Sequence, residues 1–241
     1  VSITSFSKAQ SVVNFKKHSI SGVFISEGVA VGDVNKDGKM DILAGNYWFE
    51  APLWKKILLH TDTITQVQGY STSFLNFCMD VNNDGWLDLI RFDLPGGNCA
   101  WYQNPKNKKD LWQPHLILNS AGNESPAFVD VDKDGRMDII CNDTFTKQVI
   151  WLKAPVTKED TAWKKYVISN DKLRGTSRYT HGLGWGDVNK DGRNDVIIKS
   201  GWWESPADVK KADWQFHEAD FGQDCANMFV LDVDEDNDED I

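Results

Sequence analysis

Five stretches of this 241-residue chain place oxygen-bearing side chains at alternate positions and then run into aliphatic residues. In the first, Asp33, Asn35, Asp37 and Asp41 stand at positions one, three, five and nine, with Gly38 at six. The pattern returns with Asp80, Asn82, Asp84 and Asp88, then with Asp130, Asp132, Asp134 and Asp138, then with Asp187, Asn189, Asp191 and Asp195. Asp232, Asp234, Asp236 and Asp240 form the fifth copy. A chain with this spacing can wrap a hard divalent cation, because alternate side chains converge on it and the glycine permits a sharp turn. Position seven holds Lys39, Trp86, Arg136, Arg193 and Asp238, the indifference to side chain that a backbone carbonyl ligand predicts. Ca2+ is therefore expected at four to five structural sites.

Two other readings of the stretches were weighed against this one. An EF-hand would carry a glutamate at position twelve and continue into a helix. Here position twelve is Ala44, Arg91, Cys141 or Ile198, and the residues just before it are aliphatic, as in a buried strand. Plain hairpin turns also favour Asp, Asn and Gly. Carboxylates crowded into one turn would repel one another without a cation, however, and the crowding recurs in every copy. In the fifth copy Asn237 replaces the glycine, so a cation loop and an acidic tail both stay open there.

The formal charge is −10, from 26 basic and 36 acidic residues. Seventeen of the acidic residues are the loop aspartates, three each in the first, second and fourth copies and four each in the third and fifth. No basic stripe with interleaved aromatics occurs, which argues against nucleic acid. No apolar run approaches the roughly 20 residues that span a bilayer, so membrane insertion is not expected. The four cysteines lack metal-knuckle spacing and read as buried apolar residues, with a disulfide left open for a secreted protein. No GxSxG, HExxH or P-loop pattern is present.

The elements that position the loops keep the same step. Loop starts are separated by 47, 50, 57 and 45 residues. Downstream of four of them come YWFEAP (47–52), AWYQNP (100–105), IWLKAP (150–155) and GWWESP (201–206), and then segments opening at Trp54, Trp112, Trp163 and Trp214. A similar segment, FKKHSI from Phe15, precedes the first loop. Each unit thus reads as four strands in about 50 residues, which predicts an all-β fold, a β-propeller of four-stranded blades with the loops between first and second strands. The tryptophans read as packing between blades in preference to exposed sugar platforms.

With its repeated DxDxDGxxD-type loop and tryptophan strand, the chain resembles the FG-GAP/VCBS repeat family, the calcium-loop propellers that include the integrin α head. The resemblance implies seven blades when complete and calcium loops on the face opposite the ligand site. Residues 1–241 are expected to form a single domain of about four complete blades and part of a fifth, truncated at the C-terminus.

If the loops lie at one end, the residues six places before each first aspartate open the inner strands at the other. These are Glu27, Phe74, Glu124, His181 and Ala226. Glu27, Glu124 and His181 are candidate catalytic residues of a central funnel. Arg178, Tyr179, Lys199, Asp224 and Asn142 are candidate ligand-binding residues around them. Two functions follow as expectations. One is a secreted, periplasmic or cell-surface module binding carbohydrate or an extracellular protein. The other is the propeller of a carbohydrate lyase or dehydratase, with a possible further divalent metal in the funnel. The tryptophan strands are loosely similar to those of the aldos-2-ulose dehydratases.

Overall fold

The computed structural model describes residues 13–62, 64–67, 69–236 and 239–241. Among these residues there is no helix, and every named strand pairing is antiparallel. The first unit is β1 (Ala30–Gly32), β2 (Asp41–Ala44), β3 (Tyr47–Glu50) and β4 (Lys55–Leu58), hydrogen-bonded in that order. A short hairpin, β5 (Gln66–Val67) and β6 (Tyr70–Ser71), leads to a seven-stranded sheet. Its strands are β7 (Leu75–Met79), β8 (Asp88–Phe92), β9 (Gly97–Gln103), β10 (Gln113–Val129), β11 (Asp138–Asp143), β12 (Gln148–Lys153) and β13 (Lys164–Ser169). The last unit is β14 (Gly184–Gly186), β15 (Asp195–Ile198), β16 (Gly201–Glu204) and β17 (Gln215–Glu218).

The seven-stranded sheet is two units joined through one strand. Gln113 to Leu116 of β10 pair with β9 and close the second unit, whereas Ala127 to Val129 pair with β11 and open the third. The register shifts between Gly122 and Ala127, where the strand passes from one unit to the next.

The period-two pattern of the second strands explains how the units stack. Successive side chains of a strand point to opposite faces. In β8, Leu89 enters the core shared with the first unit and Ile90 the core shared with the third. In β11, Ile139 and Cys141 face the second unit while Ile140 faces the fourth. A strand covered on both faces needs no polar side, which is why these segments read as continuous aliphatic runs. Third-strand tryptophans stack on their cross-strand partners at similar spacing: Trp101 on His115 at 4.3 Å, Trp151 on Tyr166 at 4.7 Å and Trp202 on His217 at 4.3 Å. None of the 11 tryptophans is exposed, and eight of them, among them Trp101, Trp112, Trp151 and Trp203, belong to the cores shared between neighbouring units.

One expectation is corrected. The segment from Phe15 forms no strand; residues 15–20 pair with no strand among the described residues, and Phe15 is exposed. Its resemblance to the later fourth strands lies in composition, and no strand among the described residues lies beside it to supply a ladder. The sheets also do not close on one another among the described residues; they follow in an open array. All four cysteines are free, with Cys99 and Cys141 buried.

Candidate cation loops and the opposite face

The acidic loops join first to second strands, and four of them share one hydrogen-bond pattern. Asp33 accepts the backbone N–H groups of Asp37 at 3.0 Å and Gly38 at 2.9 Å. Asp80 takes Asp84 and Gly85, Asp130 takes Asp134 and Gly135, and Asp187 takes Asp191 and Gly192 in the same way. The position-five carboxylate accepts the N–H of residue seven in each: Asp37 from Lys39, Asp84 from Trp86, Asp134 from Arg136, Asp191 from Arg193. Glycine is required at position six, where φ lies at +81°, +87°, +87° and +85° for Gly38, Gly85, Gly135 and Gly192. Position four is also left-handed, with φ of 59°, 55°, 58° and 60° at Lys36, Asn83, Lys133 and Lys190. The sequence pattern had no place for that position, because three lysines do not signal a turn.

Position nine anchors the loop to the sheet. Asp41, Asp88, Asp138 and Asp195 are each 0% exposed. One oxygen accepts the N–H of residue two, from Val34, Val81, Val131 or Val188. The other accepts an N–H at the end of the third strand, from Ala51, Asn104, Ala154 or Ser205. None of the four makes an ion pair among the described residues. Burial pushes the carboxyls of Asp88 and Asp138 up to about 7 and that of Asp195 up to about 6, against the pull of these backbone donors. Asp41 shifts the same way.

The donor set fits a hard cation. Every side-chain ligand offered is an oxygen, the preference of calcium. Oxygens of Asp130, Asp132 and Asp138 lie within 4.8 Å of one another, and Asp132 Oδ1 is shielded from solvent without a hydrogen-bond partner. In the fifth loop, oxygens of Asp232, Asp234 and Asp240 also lie within 4.8 Å of one another. Asp236 N donates to Asp232 and Val233 N to Asp240, but the three clustered aspartates are exposed. Asn237 and Asp238 lie outside the described residues.

Position seven is less indifferent than its variety suggested. Arg136 reaches the second loop, donating to Asn83 Oδ1 at 2.8 Å and to the carbonyls of Asp80 and Val81 at 2.9 and 3.0 Å. Trp86 lies under the Lys36 ammonium, 4.5 Å from its ring centre. Lys133 donates to the Gly192 carbonyl at 2.9 Å. The first four loops are thus linked in sequence along one face, by contacts from positions four and seven.

At the other end, backbone contacts align the inner strands. Glu27 N donates to Ser73 O, Gly28 N to Phe74 O, and Glu124 N to Thr180 O; Ser125 Oγ donates to Ala226 O. His181 Nε2 lies 3.3 Å from Glu124 Oε2, both side chains partly exposed. Glu27 is tied elsewhere, accepting from Ser71 N at 3.2 Å. Arg178 donates to Pro95 O and stacks against Tyr179; Lys199 pairs with Asp224 at 2.9 Å. Asn142 is fully buried and donates to the carbonyls of Gly175 and Ser177, so it supports the face from beneath.

A further charged cluster on this face, around Arg91 and Asp93 at the end of β8, has partners that the repeat pattern did not indicate. Arg91 is 7% exposed; its Nη1 lies 2.9 Å from His60 Nε2, and its Nη2 lies 3.5 Å from Asp62 Oδ2 and 3.6 Å from Asp93 Oδ1. Tyr102 donates to Asp62 at 2.9 Å and stacks on His60. Burial, and next the Arg91 charge, bring His60 down to about 4, so its ring is neutral near pH 7. The available signal was Arg91 itself, a charge set between Ile90 and Phe92 where the other second strands carry apolar residues.

A family model described as an FG-GAP-like repeat matches residues 80–141, and one described as an FG-GAP repeat matches residues 27–51. Among curated proteins none matches. One similar solved structure is described as the structural basis of specific recognition of non-reducing terminal N-acetylglucosamine by an Agrocybe aegerita lectin. The similarity has a TM-score of 0.49 at 16% identity and covers 78% of this chain and 50% of that one, so the chain spans half the length of that structure. The two matched stretches thus resemble FG-GAP repeats; 27–51 contains the first acidic loop, and 80–141 contains the second and third.

Proposed function

We propose that the chain is a calcium-stabilised β-propeller module whose face opposite the loops binds carbohydrate or another extracellular ligand. Residues 1–241 are read as one domain of four blades and part of a fifth, within a ring of seven. The observation that carries the calcium reading is the set of four buried position-nine carboxylates with no ion-pair partner among the described residues. An unpaired buried charge is costly, and a divalent ion held by positions one, three and five would supply the missing countercharge. The ions then act structurally, clamping each first strand to its second. Millimolar extracellular calcium would fill such sites even if they were weak, which favours a secreted, periplasmic or cell-surface setting. Isothermal titration of the decalcified protein tests this. Four to five ions per chain are expected; no uptake at millimolar calcium would end the reading.

One observation favours a second reading, a carbohydrate lyase or dehydratase. Glu124 and His181 stand within hydrogen-bonding reach of each other on the ligand face, an arrangement suited to proton transfer and to holding a further divalent ion. Under this reading His181→Ala abolishes turnover while leaving the calcium-dependent melt intact. Binding of a saccharide without turnover by the unaltered protein would set the reading aside.

A further inference from the structure

The second and third units differ on the ligand face in a way that indicates what one of them takes from solution. Asp143 follows position nine of the third loop by five residues, and Asp93 follows that of the second by the same interval. Asp143 is satisfied from within the protein. Its Oδ2 accepts from Lys165 Nζ at 2.6 Å and its Oδ1 from Ser120 Oγ at 2.7 Å. Although burial opposes it, these bonds hold the Asp143 carboxyl well below the usual carboxylate range.

In the third unit Lys165 pairs opposite Leu152, next to the Trp151–Tyr166 pair. The same place in the second unit, opposite Tyr102 and next to the Trp101–His115 pair, is held by Pro114. A proline cannot reach the carboxylate. A cavity of about 390 Å³ stands there instead, lined by Asp62, Arg91, Asp93, Tyr102, Pro114 and Leu116, among others. Its size lies within the range of small-molecule sites. Arg91 compensates only in part, because its guanidinium lies 3.5 and 3.6 Å from the two carboxylates and its other nitrogen is committed to neutral His60. One arginine against two aspartates leaves one negative charge. In the third unit Asp143 and Lys165 cancel.

We propose that this cavity binds the primary ammonium of a small hydroxylated ligand of the amino-sugar class, which supplies to Asp93 and Asp62 the cation that Lys165 supplies to Asp143. The remaining negative charge disfavours phosphate, sulfate or carboxylate at this point. Thr72 and Asn98 offer hydrogen-bonding groups for hydroxyls, and Pro114 and Leu116 give an apolar wall for a ring face. The inference rests on the carbohydrate-binding reading for its ligand class and is independent of the calcium reading.

The test is calorimetric titration of the calcium-loaded protein with glucosamine, N-acetylglucosamine and Nα-acetyl-lysine amide. Glucosamine is expected to bind one to one at millimolar or lower concentration, weakening with added salt. N-acetylglucosamine, uncharged at that nitrogen, should bind at least about tenfold more weakly. Pro114→Lys, which installs the lysine of the third unit, should remove glucosamine binding and keep or raise the melting temperature. Asp93→Asn should weaken it at least about tenfold. Equal affinity for glucosamine and N-acetylglucosamine overturns the proposal. So does tighter binding of the lysine derivative, an unchanged Pro114→Lys variant, or no heat with glucosamine. Neutral saccharides that still bind the Pro114→Lys variant would leave the broader carbohydrate reading standing while this site fell.

Discussion

In the first loop position three is Asn35, whose Nδ2 donates to Glu50 Oε1 at 3.3 Å; in the third it is Asp132, whose Oδ2 accepts from Lys153 Nζ at 2.5 Å. Glu50 and Lys153 occupy the same place at the end of the third strand. The contact is kept while its polarity is reversed. Lys153 also donates to Asp134, and it is 13% exposed, so the extra carboxylate of the third loop brings its own counter-ion. Position three therefore has two tasks: one group is tied back to the sheet, and Asp132 Oδ1 is left without a partner. These two loops hold a geometry constant while the paired residues change together.

The largest expected effect is common to both loops. If each frame encloses a calcium ion, chelation should lower the melting temperature by more than about 10 °C. Four sites filled a hundredfold above Kd contribute about 2.7 kcal/mol apiece, and about 1 kcal/mol moves a domain of this size by about 2–4 °C. An unchanged melt in chelator would end the equivalence of the loops as ion sites.

Next in size is a pH effect in the chelated protein. The folded carboxyls of Asp88 and Asp138 are raised to about 7 and that of Asp195 to about 6, above their unfolded values. Their contribution to stability is fully present below about pH 4 and is lost as pH rises through 6 to 7. The calcium-free protein should therefore melt higher at pH 5.5 than at pH 8. Calcium should raise the melt more at pH 8, where protons compete less for the ligands. Urea unfolding at the two pH values, with and without calcium, checks the crossing; a calcium-free protein more stable at pH 8 would contradict it.

Smaller effects separate the two loops. Lys153→Glu sets a further carboxylate against Asp132 and Asp134 and should cost about 2–3 kcal/mol, less than the loss when a fully buried pair is broken because these side chains are 13–25% exposed. Adding Asp132→Asn should recover most of that, since the pair then matches the first loop. Asn35→Asp should cost only about 1 kcal/mol, because Asn35 and Glu50 are not fully buried, with recovery on adding Glu50→Lys. Additive losses in either double variant would show that the pairs are not coupled.

Much of this was legible in the sequence because it is local. The loop residues bond within nine positions of one another, and a second strand such as Asp138–Asp143 declares itself by an aliphatic run that both faces need. The segment from Phe15 misled because its composition matches that of the fourth strands while no strand among the described residues lies beside it. Two position-seven side chains act between units, which the pattern did not indicate: Arg136 on the second loop and Trp86 beneath Lys36. His60 and Asp62 gave no signal, lying in a connection outside the repeated pattern.

The sequence by itself determined the repeat, the strand order within each unit and the carboxylate frame of every loop, since each depends on neighbours a few residues apart and on side chains that alternate along a strand. Only the tertiary structure decided that Glu124 meets His181, that Asp62 and Arg91 share a cavity, and that Pro114 leaves open what Lys165 fills. Those meetings join side chains 22 to 57 residues apart, most of them from different units. Packing between sheets brings such groups together; the period puts Glu124 and His181 at equivalent places but does not say which side chains meet.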